Sequence, residues 1–122
     1  MAQRIFNRGE IYWVNLDKEE SQDKKPQPKG SEEQKNRPGV IISNQKQNQF
    51  SNCVIVALIT SQVDKIYPFQ VYSELAGKNG IILVDQIRTI DRKRFGKKLG
   101  ELDFEAMEKI ERALHITLSL KN

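Results

Sequence analysis

The chain has 122 residues and one cysteine, Cys53, which fits one compact domain and excludes an internal disulfide. Hydrophobic residues at 38% and charged ones at 30% suit a soluble domain with a modest core, and no apolar run approaches the roughly 18–20 residues of a membrane span. With His115 as the single histidine, the usual zinc clusters lack ligands, and neither metal nor cofactor is expected. Arg4, Asn7, Arg8 and Glu10 interrupt any signal-peptide pattern, so a reducing cytoplasm is the expected compartment.

The net charge of +4 is unevenly placed. Arg88, Arg92, Lys93, Arg94, Lys97 and Lys98 stand against Asp91 alone in the Arg88–Lys98 window. A basic stretch on a near-neutral body suits a polyanion such as nucleic acid, although a solvated lysine-rich surface has the same composition.

Ile11–Leu16 is rich in β-formers and predicts the first strand. From Asp17 to Asn36 no aliphatic, aromatic or cysteine residue occurs, so 17–36 is expected to be a long, mobile polar loop. Pro38–Ser43 is the next expected strand, with proline tolerated at its first position. Asn44–Asn52 is polar and turn-like, and the unbroken apolar run Val54–Ile59 predicts a buried central strand. Tyr67–Tyr72, which contains Pro68, suggests an edge strand. Gly77–Gly80 is turn-like and Ile81–Val84 is a second buried run. Asp91 is placed to cap a short basic helix ending at Gly96, with a short strand around Lys97–Leu99.

Asp103 is the expected N-cap of a C-terminal helix whose core face carries Phe104, Met107, Ile110, Leu114 and Leu118. Ile116 and Leu120 project away from that face, which suggests either frayed packing or a subunit interface. Five or six short strands with one terminal helix indicate a mainly β fold, a small and strongly curved barrel. The whole chain is expected to form that one domain.

Three strand-edge segments carry groups suited to phosphate chemistry. Gly30-Ser31-Glu32-Glu33 with Arg37-Pro38 brings a carboxylate near a guanidinium at a loop-to-strand junction; Glu accepts a proton and Arg forks onto phosphate oxygens. Thr60-Ser61-Gln62 places hydroxyls where the most apolar strand emerges, although Ser and Thr also serve ordinary turns. Asp85-Gln86-Ile87-Arg88-Thr89 offers side chains able to read base edges and grip phosphate, or an Asp85–Arg88 pair closed on itself. Trp13, Tyr12 and Tyr67 are the aromatics available for stacking, with the core as rival claimant, and His115 is expected to be packed or exposed on its helix.

Taken in order, Arg8-Gly9-Glu10-Ile11-Tyr12-Trp13-Val14, Arg37-Pro38 leading into Val40–Asn44, Val54–Ser61, Ile82–Asp91 and Gly96-Lys97-Lys98-Leu99-Gly100 resemble the MazF/PemK family of toxin endoribonucleases. The resemblance spans nearly the whole chain. It implies an SH3-like barrel of the PemK/CcdB type, a homodimer, metal-independent cleavage of single-stranded RNA and a small antitoxin as inhibitory partner. By the same resemblance the catalytic Glu, Arg and Thr fall on Glu32, Arg37 and Thr60, and RNA contacts on Ser31, Asp85 and Gln86; Ser61 and Arg88 join them as RNA-binding candidates. The sequence departs from the family pattern in a loop about ten residues longer before Gly30, and in Ser31-Glu32-Glu33-Gln34, where counting back from Arg37 selects Glu32. Two other functions suit the same fold: a non-catalytic RNA- or protein-binding module, and a toxin that inhibits gyrase.

Overall fold

The computed structural model describes residues 4–16, 36–61, 67–68, 70–75 and 78–121. Apart from Asn36, the expected 17–36 loop lies outside them. The elements are β1 (Glu10–Asn15), β2 (Asn36–Ile41), α1 (Gln45–Phe50), β3 (Cys53–Thr60), β4 (Gln70–Leu75), β5 (Lys78–Asp91), a 3-10 turn (Arg92–Arg94), β6 (Phe95–Glu101) and α2 (Phe104–Leu118). All ladders are antiparallel and the strand order is β4-β5-β3-β2-β1-β6. No ladder among the described residues joins β4 to β6, so the sheet is a curved barrel left open along one seam.

β3 sits at the centre and is buried on both faces, which is why its apolar run is unbroken. Val54, Val56 and Leu58 join Phe6, Tyr12, Val14, Ile41 and Phe95 in one core. The alternate residues Ala57 and Ile59 join Ile11, Val40, Ile82 and Val84 in a second, which α2 covers with Ile110 and Ala113. Ile110 is fully buried, a placement that stabilises the helix–sheet contact by roughly 1.5–3 kcal/mol. In the first core Phe6 packs against Tyr12 and Phe95 at centroid distances of 5.1 and 4.6 Å, and the Arg4 and Arg92 guanidiniums lie over its ring at 5.0 and 4.9 Å. Gly39 lets β2 pack closely here: a Cβ would lie 3.2 Å from Val56 Cγ2 and 3.3 Å from Val14 Cγ2, so these side chains would have to give way.

Several expected boundaries differ, each for a physical reason. Pro38 lies inside β2 and not at its start. Its missing N–H costs no ladder bond, because residues 38, 40 and 42 turn their amides toward β3 and that ladder begins only at Gly39. The polar 44–52 segment contains a helix, α1, capped by the Asn44 side chain on Gln47 N at 2.9 Å. Asn48 anchors it, buried and hydrogen-bonded to the Ser43 hydroxyl and, at 3.0 Å, to the Ser43 carbonyl. The run at 81–84 and the 85–89 segment are parts of one 14-residue strand, β5. Asp91 does cap a short turn, bonding Lys93 N at 2.8 Å, but that turn ends at Arg94 and β6 starts at Phe95.

α2 starts on its expected Asp103 cap, yet Phe104 (78% exposed) and Leu118 (48%) do not belong to its core face. The helix overhangs the sheet at both ends. Ile116 and Leu120 are exposed, as their spacing predicts. No helix among the described residues is long and apolar enough to cross a membrane.

Candidate active site

β2 and β3 bring the site together. Gly39 faces Leu58 in their ladder, and the same register carried two residues further sets Arg37 against Thr60. A bond from Arg37 Nη2 to the Ile59 carbonyl at 3.4 Å keeps the side chain against this end of β3. Facing residues of adjacent antiparallel strands project from the same side, so Arg37 and Thr60 share the face of the first core, away from α2.

β5 adds a third group through an irregularity. Ala57 pairs with Ile87, but its neighbour Leu58 pairs with Leu83, so Val84, Asp85 and Gln86 form a bulge. Asp85 and Gln86 are thereby turned out to solvent beside the central strand, as bulges commonly re-aim side chains near active sites. Beyond the bulge Arg88 faces Val56, which puts it on the same face as Arg37 and Thr60. Burial first, and then the nearby Arg88 charge, lower the Arg37 guanidinium from its ordinary range. With Arg88 on the same face, the Arg37 guanidinium has the geometry and charge to fork onto the oxygens of an anion such as phosphate.

Ser61 is exposed directly after β3, next to Thr60. Ser31, Glu32, Glu33 and Gln62 lie outside the described residues. Among the expected stacking aromatics, Tyr12 is core, and Trp13 is 40% exposed but faces Pro38 on the α2 side of the sheet. Tyr67 is 43% exposed at the entry to β4. His115 is partly buried on α2, in the layer opposite Arg37. No group of His, Cys, Asp or Glu able to hold a metal ion occurs among the described residues.

The basic window is less uniform than its composition suggests. Arg92 donates to the Asn48 and Arg4 carbonyls, both at 2.5 Å, and so pins α1 to the N-terminal segment. Lys98 pairs with Glu10 at 3.0 Å and Glu101 at 3.3 Å. Glu10 itself is buried, and its carboxylate also accepts from Asn7 N, Asn7 Nδ2 and the Tyr12 hydroxyl. This clamp escaped the sequence reading because nothing local marks Glu10 as inward-facing. A separate groove of about 290 Å³ opens between β4 and α2, with Tyr72, Arg112 and Ile116 on its walls; Arg37 and Thr60 do not line it.

The fold and the sequence agree with those of known proteins. Residues 7–118 match the model of the PemK-like, MazF-like toxin of type II toxin–antitoxin systems. The chain is 36% identical to Endoribonuclease EndoA of Bacillus subtilis, over 95% of this chain and 97% of that protein. A mycobacterial endoribonuclease in complex with its cognate antitoxin superposes with a TM-score of 0.74 at 26% identity, covering 95% of this chain and 97% of the other. A MazE–MazF structure from Deinococcus radiodurans, at 20% identity and a TM-score of 0.72 over 98% and 100% of the two chains, shares the fold. With a family match over most of its length and a relative more than one-third identical, this chain belongs to the PemK/MazF family of type II toxins.

Proposed function

We propose that the protein is the toxin of a type II toxin–antitoxin pair and acts as a metal-independent, sequence-specific endoribonuclease on single-stranded mRNA. The observation that carries this is the meeting of Arg37 and Thr60 on one sheet face, with Arg88 close enough to lower the Arg37 guanidinium. The nucleophile is the one RNA already holds, its 2′-hydroxyl. Glu32 or a neighbouring carboxylate takes the 2′-proton as the 2′-oxygen bonds to phosphorus. Arg37 neutralises the charge growing on the phosphate oxygens, and Thr60 holds the scissile phosphate by a hydrogen bond. The bond from phosphorus to the 5′-oxygen then breaks, and that oxygen leaves with a proton from Arg37 or water. The products are a 2′,3′-cyclic phosphate and a 5′-hydroxyl.

Ser31, Ser61, Asp85, Gln86 and Arg88 contact the RNA around this centre, with Asp85 and Gln86 well placed to read base edges from the bulge. The chain works as a homodimer in the cytoplasm and is held inactive by a MazE-like antitoxin. Its apolar surplus at Ile116 on α2 and Leu120 just beyond it is what a second copy covers.

The test is cleavage of labelled single-stranded RNA by pure protein. Discrete cuts are expected in the presence of EDTA, and a single 2′-deoxyribose at the cut position abolishes the cut. Intact RNA, or a requirement for added divalent metal, refutes the proposal and leaves a binding module of the same fold.

A further inference from the structure

The line of residues that holds Arg37 and Thr60 continues across the sheet. Thr60 faces Ile81 on β5, and Ile81 faces Tyr72 on β4. From β2 to the edge strand, one face therefore presents Arg37, Thr60, Ile81 and Tyr72 in order. Ile81 is buried at 2% exposure, whereas Tyr72 is 44% exposed. Alternation along β4 agrees with this placement, since Val71, the preceding residue, is buried in the α2-covered core; at the open edge of the sheet Tyr72 also borders the groove beside α2. At roughly 4.8 Å per strand, β4 lies about 10 Å from β3. Trp13, comparably exposed, faces Pro38 and so belongs to the other side.

We propose that Tyr72 is a base-stacking residue that holds a nucleobase next to the scissile phosphate. The proposal rests on the endoribonuclease reading above and extends it from phosphate to base. Gripping the phosphate with Arg37 and Thr60 leaves the ribose free to swing, and in-line attack by the 2′-hydroxyl needs that freedom removed. Single-stranded RNA offers unstacked bases, and proteins hold them on aromatic rings. A tyrosine on an edge strand is well suited to this role. Its backbone is fixed by the β5 ladder, its ring turns on only two torsions, and no strand among the described residues lies beyond β4. Every base has a π-face, so Tyr72 orients the strand without choosing the base, and identity is left to polar groups such as Asp85 and Gln86.

The experiment measures cleavage of a short RNA with a mapped cut site, together with Kd for its 2′-O-methylated analogue, which binds uncut. Tyr72→Ala is expected to raise Kd and KM by about 5–150-fold, the scale of one lost base–aromatic stack, while Tyr72→Phe stays at the wild-type level. An abasic residue at one of the two nucleotides flanking the cut lowers wild-type affinity by a similar factor and adds no further loss to Tyr72→Ala. Wild-type affinity in Tyr72→Ala, or an abasic penalty of equal size in both proteins, overturns the proposal. So does a change in oligomeric state with unchanged RNA binding, which would assign the Tyr72 ring to a contact between subunits at the groove beside α2. Failure of the wild type to cut RNA would sink the activity alone, since the Kd comparison still reads the stack.

Discussion

Truncating Glu10 probes the clamp that ties β1 to β6 and the N-terminal segment. Glu10 is 7% exposed, and its carboxylate accepts from Asn7 N at 2.9 Å, Asn7 Nδ2 at 3.1 Å, the Tyr12 hydroxyl at 3.1 Å and Lys98 Nζ at 3.0 Å. In Glu10→Ala the exposed Lys98 and Asn7 find water, but the buried Tyr12 hydroxyl loses its acceptor. A deprived buried donor costs about 1–3 kcal/mol, and a loss of that size is expected. That is a sizeable part of the roughly 5–15 kcal/mol that holds a domain together, and for this chain length it corresponds to about 4–12 °C in melting temperature. Urea midpoints and thermal scans followed by circular dichroism read it, and a change below about 0.5 kcal/mol, the scale of an ordinary surface substitution, refutes the clamp. Glu10→Gln adds a pH test. Burial pushes the carboxyl upward, but the bonds from Asn7, Lys98 and Tyr12 outweigh it, and the group ends below its ordinary value. A carboxyl lowered on folding contributes stability above its unfolded pKa, about 4.3, and loses that contribution as pH falls through the folded value. The wild-type advantage over Glu10→Gln is therefore full at neutral pH and shrinks below about pH 4. An equal advantage at pH 3 and pH 6 contradicts the charged state of the clamp.

Arg37→Ala should slow RNA cleavage roughly 10²–10³-fold, the scale for one preorganised charge-stabilising donor, with the melting temperature nearly unchanged. A loss under tenfold in a folded variant removes Arg37 from the chemistry. Thr60→Val should also slow cleavage, by less, because backbone amides at the end of β3 continue to hold the phosphate. Ile116→Asp with Leu120→Asp should weaken self-association in sedimentation, and a wild type that sediments as a monomer at micromolar concentration overturns the dimer.

The parts of this protein that its sequence settled alone are those governed by neighbours in the chain. The apolar run of β3 marks a strand buried on both faces, and Asp91 and Asp103 cap the turns that follow them, since a cap needs only a side-chain oxygen near amides two or three residues on. Pro68 suggests an edge strand, and β4 is an edge, although Pro68 itself lies in the turn two residues before β4 begins at Gln70. Arg37, Thr60, Asp85, Gln86 and Arg88 were legible as candidates from their types and from the family resemblance. Their assembly was not. The facing of Arg37 and Thr60, the bulge that turns Asp85 and Gln86 outward and the reach of the row to Tyr72 depend on strand register. Register is decided by which residues bury together across the sheet, and a shift of one position would turn every side chain to the other face. α1 is likewise a tertiary product: its residues are polar, and the helix is held by Asn48 bonded to Ser43 and Arg92. The basic window and the last helix show the same division. Composition counts Arg92 and Lys98 as surface charge, and periodicity assigns Phe104 and Leu118 to a core. The folded chain commits the two cations to internal carbonyls and carboxylates and leaves the two apolar residues beyond the sheet's reach, because a partner and a covering surface exist only once distant segments have packed.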